Sequence, residues 1–248
     1  SFLAYGVVYP IIGATQNFLL ISFFIKFCYI NNSLKNNIME IPKFLIERYQ
    51  FWKKNTFKDY KAIYQQASKT AQKPIAMIIT CCDSRILENS IFGGSIGDYF
   101  IHKNIANIVP SKNNMDQNIQ TLSAIEYALK VLKTPNLIIL GHSNCGGVKY
   151  AYKTLIERKN TNDFEYIDQW VSCLHNSYKN IPENISETEK IIFFEQENVK
   201  QSIKNLHEYN FINKLIIENK LNVIGLWYQI NSGLIKFLDN NNNFIDLD

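Results

Sequence analysis

The sequence predicts an α/β protein built on a mostly parallel central β-sheet flanked by helices. Short apolar runs of the length of a buried strand alternate along the chain with longer segments in which apolar residues recur at helical spacing. This alternation is typical of parallel sheets, because the crossover between parallel strands is usually a helix. The chain has 248 residues, 46% hydrophobic and 19% charged, which suits one large domain with a sizeable core.

The individual elements can be delimited in the same way. The runs IAMIIT and NLIIL predict buried strands, while IQTLSAIEYALKVLK places its apolar side chains on one helical face. In chain order we expect strands over 75–80, 98–102, 136–140 and 222–230, helices over 119–133, 148–159 and 195–209, and a closing hairpin or edge strand within 232–248.

Residues 1–38 differ from the rest of the chain. The apolar stretch over 2–30 is long enough to cross a bilayer, but Pro10 and several polar residues interrupt it. Two interpretations stay open: a hydrophobic extension outside the functional domain, or a membrane anchor. Met39 opens a segment with the pattern of an amphipathic first helix, so we expect the functional domain to cover 39–248.

Composition argues against some functions. The net charge of +4 is spread along the chain without a basic stripe, which disfavours nucleic-acid binding. Five cysteines at irregular spacing do not suggest a disulfide framework, so we expect reduced thiols, some of them available to a metal. Arginine is scarce, which makes an arginine two residues after an aspartate more informative.

Two predicted strands run directly into cysteine-bearing polar residues. IAMIIT is followed by CCDSR and NLIIL by GHSNCGG, and ligands of open α/β sheets bind beyond the carboxyl ends of the strands. If the extended conformation continues past Thr80, Cys81 and Asp83 point to one side and Cys82 to the other. We therefore expect Cys81 and Asp83 to face a site, and Cys82 to be a small buried core residue.

Together, Cys81, His142 and Cys145 offer two thiolates and one imidazole. Three protein ligands with an open fourth position are typical of catalytic zinc, and these ligand types favour zinc over magnesium or calcium. Asp83 can accept a hydrogen bond from a water in the open position. Arg85 can hold Asp83 ionised through a bidentate pair.

Other interpretations stay open at this point. A cysteine or histidine taken singly is more often a core or surface residue than a ligand, and Cys81 with Cys82 is a candidate vicinal redox pair. A redox role predicts that Cys82→Ser abolishes function and Cys145→Ser does not, whereas a zinc site predicts the reverse. A thioredoxin-like role is disfavoured, since the chain has no C-x-x-C.

The pair of motifs resembles a known signature. CCDSR with GHSNCGG downstream is similar to the C-x-D-x-R and H-x-x-C signature of the β-class carbonic anhydrases, and the resemblance extends over about residues 40–245. It implies the β-carbonic anhydrase fold. It also implies zinc ligands and an aspartate–arginine dyad at the corresponding positions, which are Cys81, His142 and Cys145 for the metal and Asp83 and Arg85 for the dyad.

Further pocket residues follow from this resemblance. Gln72 corresponds to a glutamine that helps to bind substrate, and Gly146 to a glycine whose backbone N–H faces the bound species. Phe100 and Tyr127 correspond to aromatic pocket positions that are partly supplied across a dimer interface.

The chain departs from the family pattern at two positions. Lys103 stands where the family usually has arginine, which keeps the charge but loses the fork geometry. Ile78 stands where some members carry the tryptophan of a regulatory bicarbonate pocket. The resemblance therefore implies the open, plant-like type without that pocket.

The resemblance implies a lyase that reversibly hydrates carbon dioxide to bicarbonate and a proton by attack of zinc-bound hydroxide. It implies one zinc ion (Zn2+) per chain, a homodimer or homotetramer, carbon dioxide and bicarbonate as partners, and no nucleic acid. We expect a cytoplasmic location, with membrane contact only if residues 1–38 are retained. Two alternatives on this scaffold stay open: a carbon disulfide or carbonyl sulfide hydrolase, and an inactive zinc-binding scaffold protein.

Overall fold

The structure, a computed structural model, describes residues 41–113, 119–155 and 164–247. Its strands are β1 (Ala76–Cys81), β2 (Tyr99–Asn104), β3 (Asn136–His142), β4 (Asn222–Tyr228), β5 (Ile235–Leu238) and β6 (Phe244–Asp246). They form one sheet in the order β2-β1-β3-β4-β5-β6. The first four strands in this order are parallel, and β5 and β6 pair antiparallel at the edge beyond β4.

Helices connect most of the strands. Those within the described ranges are α1 (Lys43–Lys54), α2 (Thr56–Ala67), α3 (Glu88–Phe92), α4 (Ile119–Glu126), α5 (Gly146–Leu155), α6 (Glu165–Val171), α7 (His175–Tyr178), α8 (Glu187–Leu206) and α9 (Asn210–Ile217). A π-helical turn over Tyr127–Val131 continues α4. Within the described ranges, the helices lack the length and apolar run that crossing a membrane requires.

The chain divides into two units between Lys61 and Ala62. In the first unit, the described residues form α1 and the beginning of α2, and they include no buried residue. The second unit contains the whole sheet.

Both faces of the sheet are covered, as a mostly parallel sheet requires. All six residues of β1 are buried, and neighbouring apolar residues at its centre pack in different clusters. Met77 and Ile79 pack in one hydrophobic cluster with Val199 of α8. Ile78 packs in another, with Leu140 of β3.

Two glycines let α8 lie close to the sheet. A Cβ at Gly141 of β3 would stand 2.6 Å from Val199 Cγ2, and one at Gly225 of β4 would stand 2.7 Å from Ile203 Cδ1. Any larger residue would push the helix away. This approach brings the polar side chains of α8 to the carboxyl ends of the central strands.

The predicted fold class is confirmed: the sheet is mostly parallel and flanked by helices. The strands lie where the apolar runs predicted them, and the closing hairpin is β5 with β6. The helix predicted over 195–209 begins earlier, at Glu187, because Ser186 and Glu189 form a capping box that starts it. Residues 1–38, whose status stayed open, lie outside the described residues.

Candidate metal centre

The carboxyl ends of β1 and β3 lie side by side. The two strands are parallel neighbours with Thr80 in register with Leu140. Cys81 at the end of β1 and His142 at the end of β3 therefore reach the same edge of the sheet. Cys145 follows within a turn and directly precedes α5, so the chain brings all three side chains to one place.

Their arrangement has the dimensions of a metal site. The ligand atoms of Cys81, His142 and Cys145 lie within 4.8 Å of one another, and all three residues are buried. The two sulfur atoms are 3.8 Å apart. Thiolates bound tetrahedrally to zinc, each at about 2.3 Å, stand about 3.8 Å apart. The sulfur spacing thus matches tetrahedral zinc.

The ring of His142 is held in the tautomer that a metal ligand needs. Its Nδ1 lies 2.9 Å from the carbonyl oxygen of Ser143, so Nδ1 carries the hydrogen and donates it, and Nε2 has a free lone pair. Nε2 is buried and has no hydrogen-bond partner among the described residues. A buried unpaired nitrogen is costly, and a metal ion bound to Nε2 would satisfy it.

The two thiols titrate as a coupled pair. Hydrogen bonding with Cys145 lowers the pKa of Cys81 to about 4, against the opposing effect of burial. The pKa of Cys145 is raised well above its ordinary value, because its proton is held in the hydrogen bond to Cys81 and because burial disfavours a second thiolate. Both thiolates form together only beside a cation, so metal binding releases the Cys145 proton.

Asp83 and Arg85 form a bidentate ion pair beside these ligands. Arg85 Nε donates to Asp83 Oδ1 at 2.9 Å and Nη2 to Oδ2 at 2.7 Å. Nη2 also donates to the carbonyl oxygen of Asn144 at 3.1 Å, which ties the pair to the β3 turn. These bonds from Arg85 hold the pKa of Asp83 well below its usual range. Asp83 Oδ2 lies 4.0 Å from His142 Nε2.

A turn, and not an extended strand, brings Asp83 and Arg85 together. β1 ends at Cys81, and the amide of Ile86 donates to the Asp83 carbonyl at 3.1 Å. The strand therefore continues past Thr80 by one residue only, and the expectation that the extended conformation reaches Asp83 is wrong. The expectation that Cys82 is a buried core residue is also wrong: Cys82 is exposed, because it follows the last strand residue.

The remaining residues that the resemblance assigns to the pocket lie at different distances from the metal ligands. Gly146 is the first residue of α5, directly after Cys145, and Gln72 is exposed in the segment before β1. The Phe100 and Tyr127 rings pair with their centroids 5.9 Å apart. Phe100 is in register with the β1 residue four positions before the metal ligand, which is about 13 Å along a strand.

The structure shows what contacts the two residues that depart from the family pattern, Lys103 and Ile78. Lys103 Nζ lies 2.7 Å from Oε1 of Glu88, which is buried, and it donates to the carbonyl oxygen of Ile86 at 2.9 Å. Ile78 is fully buried in the core.

One buried acid near the site was missed in the sequence. Glu195 of α8 is 2% exposed, and its Oε1 accepts the backbone N–H of Cys145 at 2.9 Å. Burial raises its pKa to about 7, against the Cys145 amide, His142 and the Trp227 indole, which lower it. Its sequence context gave only a weak indication of this role, namely that an acid lies on the apolar face of a predicted helix.

The sequence pattern of one family, described as carbonic anhydrase, matches residues 76–235. This match covers more than half of the chain and includes both cysteine-bearing turns. The chain is also 32% identical over 189 residues to a carbonic anhydrase of Helicobacter pylori, with 74% of this chain and 84% of the relative covered. The chain belongs to the β-class carbonic anhydrases.

Other relatives of this carbonic anhydrase agree. It is 27% identical over 203 residues to the beta carbonic anhydrase 3 of Arabidopsis thaliana, covering 81% of this chain and 78% of the relative. The structure of the β-carbonic anhydrase CcaA superposes with a TM-score of 0.75 at 26% identity, covering 82% of this chain and 91% of that one. A β-carbonic anhydrase of Sordaria macrospora, described as tetrameric, superposes with a TM-score of 0.68 at 31% identity, covering 79% and 95%.

As a β-carbonic anhydrase, the protein catalyses the reversible hydration of carbon dioxide. Enzymes of this class use zinc, and the chain has a metal-binding site made of Cys81, His142 and Cys145.

Proposed function

We propose that Cys81, His142 and Cys145 hold one zinc ion per chain for carbon dioxide hydration, within a functional domain over 39–248. The observation that carries this proposal is the 3.8 Å sulfur spacing beside His142 Nε2, which has no hydrogen-bond partner within the described ranges. When bound, zinc supplies the Lewis acidity that lets a water ionise near neutral pH.

Asp83 orients the attacking oxygen. Its pKa is low because Arg85 bonds both carboxylate oxygens, so it stays an acceptor throughout the neutral range. The remaining hydrogen of the attacking oxygen then donates to Asp83, and a lone pair is left to meet the carbon of the substrate. Because Arg85 bonds both oxygens of Asp83, Asp83 would not itself serve as a metal ligand, as we expect for the open type of site.

Gly146 holds a substrate oxygen through its backbone N–H. The first N–H groups of a helix have no partner within the helix, and the positive end of the α5 dipole favours the negative charge that develops on the substrate. A Cβ at Gly146 would meet none of the described residues within 4 Å, so the space beside the Gly146 Cα is open. Gln72 supplies a second polar contact.

Phe100 and Tyr127 serve the metal site of another subunit in a homodimer, alone or paired into a tetramer. Phe100 pairs with a β1 residue that lies about 13 Å along the strand from Cys81 of its own chain, and Tyr127 is 46% exposed. An exposed aromatic residue of this kind is suited to line a pocket across an interface. The tetrameric relative from Sordaria macrospora supports self-association.

The test is stopped-flow hydration of carbon dioxide by protein of known zinc content. We expect about one zinc per chain and fast hydration in the natural chain and in Cys82→Ser, and loss of both in Cys145→Ser. Zinc without hydration in folded protein would favour the sulfur-substrate hydrolase or the inactive scaffold. A zinc-free natural chain that hydrates carbon dioxide would refute the proposed cofactor.

A further inference from the structure

One side of α8 carries a stripe of buried polar side chains that bond to backbone groups near the metal ligands. Glu195, Asn198, Ser202 and Asn205 recur three, four and three residues apart on one side of the helix, and each is at most 5% exposed. Side chains this buried require partners. Each bonds to the backbone of Cys145 or of the segment that follows β2.

Glu195 fixes the backbone of one metal ligand. Its Oε1 accepts the N–H of Cys145 at 2.9 Å. Cys145 caps the start of α5, since its carbonyl oxygen accepts from the Lys149 amide at 3.0 Å, so its own N–H has no partner within the helix. Holding that amide sets the direction of the Cβ and hence of the thiol. Glu195 reaches it because Gly141 admits α8 close to β3.

Asn198 acts on the other sulfur through one intermediate residue. Its Nδ2 donates to the Ala106 carbonyl oxygen at 2.6 Å, and the Ala106 N–H donates to Cys81 Sγ at 3.4 Å. Ala106 and Asn107 have φ values of 63° and 46°, a left-handed backbone that non-glycine residues adopt only when their surroundings hold them. Asn198 therefore holds the turn that aims an N–H at a thiolate.

We propose that Glu195 and Asn198 are positioning residues that place the thiolates of Cys145 and Cys81 before the metal binds. The inference rests on the proposed function, because it takes both sulfurs as zinc ligands. Neither residue has to touch the substrate; both act through the backbone. Ligands that are already in place bind a metal more tightly than ligands that must first be ordered.

The test compares Glu195→Gln, Glu195→Asp and Asn198→Ala by zinc affinity in chelator competition and by the thiolate-to-cobalt charge-transfer band of the cobalt-substituted protein. Gln keeps an acceptor oxygen at the same reach, so its zinc affinity should stay within about threefold of the natural chain. Asp keeps the charge, but its shorter side chain moves the acceptor oxygen away from the Cys145 N–H. Glu195→Asp and Asn198→Ala should each weaken zinc binding about 10- to 100-fold and shift the cobalt band.

Asn205→Ala is the matched control. Asn205 lies on the same stripe and donates to the Val109 carbonyl oxygen at 2.8 Å, so its loss should destabilise the metal-free protein much as Asn198→Ala does. Its zinc affinity should nevertheless stay near that of the natural chain.

The proposal is overturned if Asn205→Ala weakens zinc binding as much as Asn198→Ala, or if Glu195→Asp and Asn198→Ala bind zinc normally. If Asn198→Ala does not fold, the comparison of Glu195→Gln with Glu195→Asp remains as the test. Equal zinc affinity of these two variants overturns the proposal. A natural chain that binds no zinc would instead refute the proposed cofactor.

Discussion

Asp83 is held more firmly than a single ion pair at a protein surface. It accepts from the backbone N–H, Nε and Nη2 of Arg85, and Nη2 also reaches the Asn144 carbonyl oxygen. A carboxylate with so many donors keeps one orientation, which is what an acceptor for the attacking oxygen requires.

Asp83→Asn should lower kcat/KM for hydration about 100- to 1,000-fold, with zinc content unchanged. The neutral amide is a weaker acceptor, and its NH2 group repels the donors of Arg85. Stopped-flow assays with zinc analysis measure both quantities. Ser84→Ala, at the exposed residue between the pair, is the control and should behave like the natural chain. Loss of zinc in parallel with activity would mean that Asp83 serves the metal instead.

At the scale of elements, the position of α8 depends on close contact with the sheet. Gly141→Ala should lower the free energy of unfolding by about 1–3 kcal/mol, because the new Cβ would stand 2.6 Å from Val199 Cγ2. Denaturant titration measures the change. Gly146→Ala is the control for this measurement, because a Cβ there meets no residue within 4 Å in the part of the chain that the structure describes.

A double variant tests whether that contact is the cause. Shortening the opposing side chain with Val199→Ala should recover part of the stability lost in Gly141→Ala, so the two changes should couple. Strict additivity would show that Gly141 acts through backbone freedom and not through the approach of α8.

Tyr209, between α8 and α9, gives the fold a dependence on alkaline pH. Its hydroxyl donates to the Pro110 carbonyl oxygen at 2.9 Å, and burial raises its pKa from 10.0 to about 12. The unfolded chain loses this proton first, so the stabilisation is complete below pH 10 and is lost as the pH rises from 10 to about 12.

Tyr209→Phe should remove this part of the pH dependence. Over the same window, its free energy of unfolding should fall less than that of the natural chain, by up to about 2 kcal/mol. Denaturant titrations at several pH values measure the difference. Tyr166→Phe is the control, since Tyr166 is 78% exposed. Parallel curves for Tyr209→Phe and the natural chain would contradict the assignment.

At the scale of the whole molecule, the proposal that Tyr127 lines a pocket of another subunit predicts complementation between two inactive variants. Cys145→Ser lacks the metal site but keeps its aromatic pair, and Tyr127→Ala has the reverse defect. Dissociated and reassociated together, the two inactive proteins should form mixed dimers with one complete site. Random pairing should restore roughly a quarter of the natural activity.

Stopped-flow hydration before and after mixing measures the recovery, and sedimentation confirms association. Each variant treated alone in the same way is the control. If mixing restores nothing although mixed dimers form, Tyr127 does not serve a second subunit.

Much of this protein is determined by local pattern. The strands follow from apolar runs, because a buried parallel strand is apolar on both faces. Cys81, His142 and Cys145 could be grouped in advance, since parallel strands end at one edge of the sheet. The group that the structure brings together is the group that the sequence indicated. The acid–arginine pair likewise lies within one turn.

Only the tertiary structure decided the features that depend on contacts between distant segments of the chain. Cys82 is exposed because the strand stops one residue before it, which its own sequence does not specify. Glu195 meets Cys145 across 50 residues, and Asn198 meets Ala106 across 92. No local pattern encodes such pairs, because they arise only when α8 settles on the sheet. The sequence alone therefore determined which atoms can bind the metal, and packing decided which side chains hold those atoms in place.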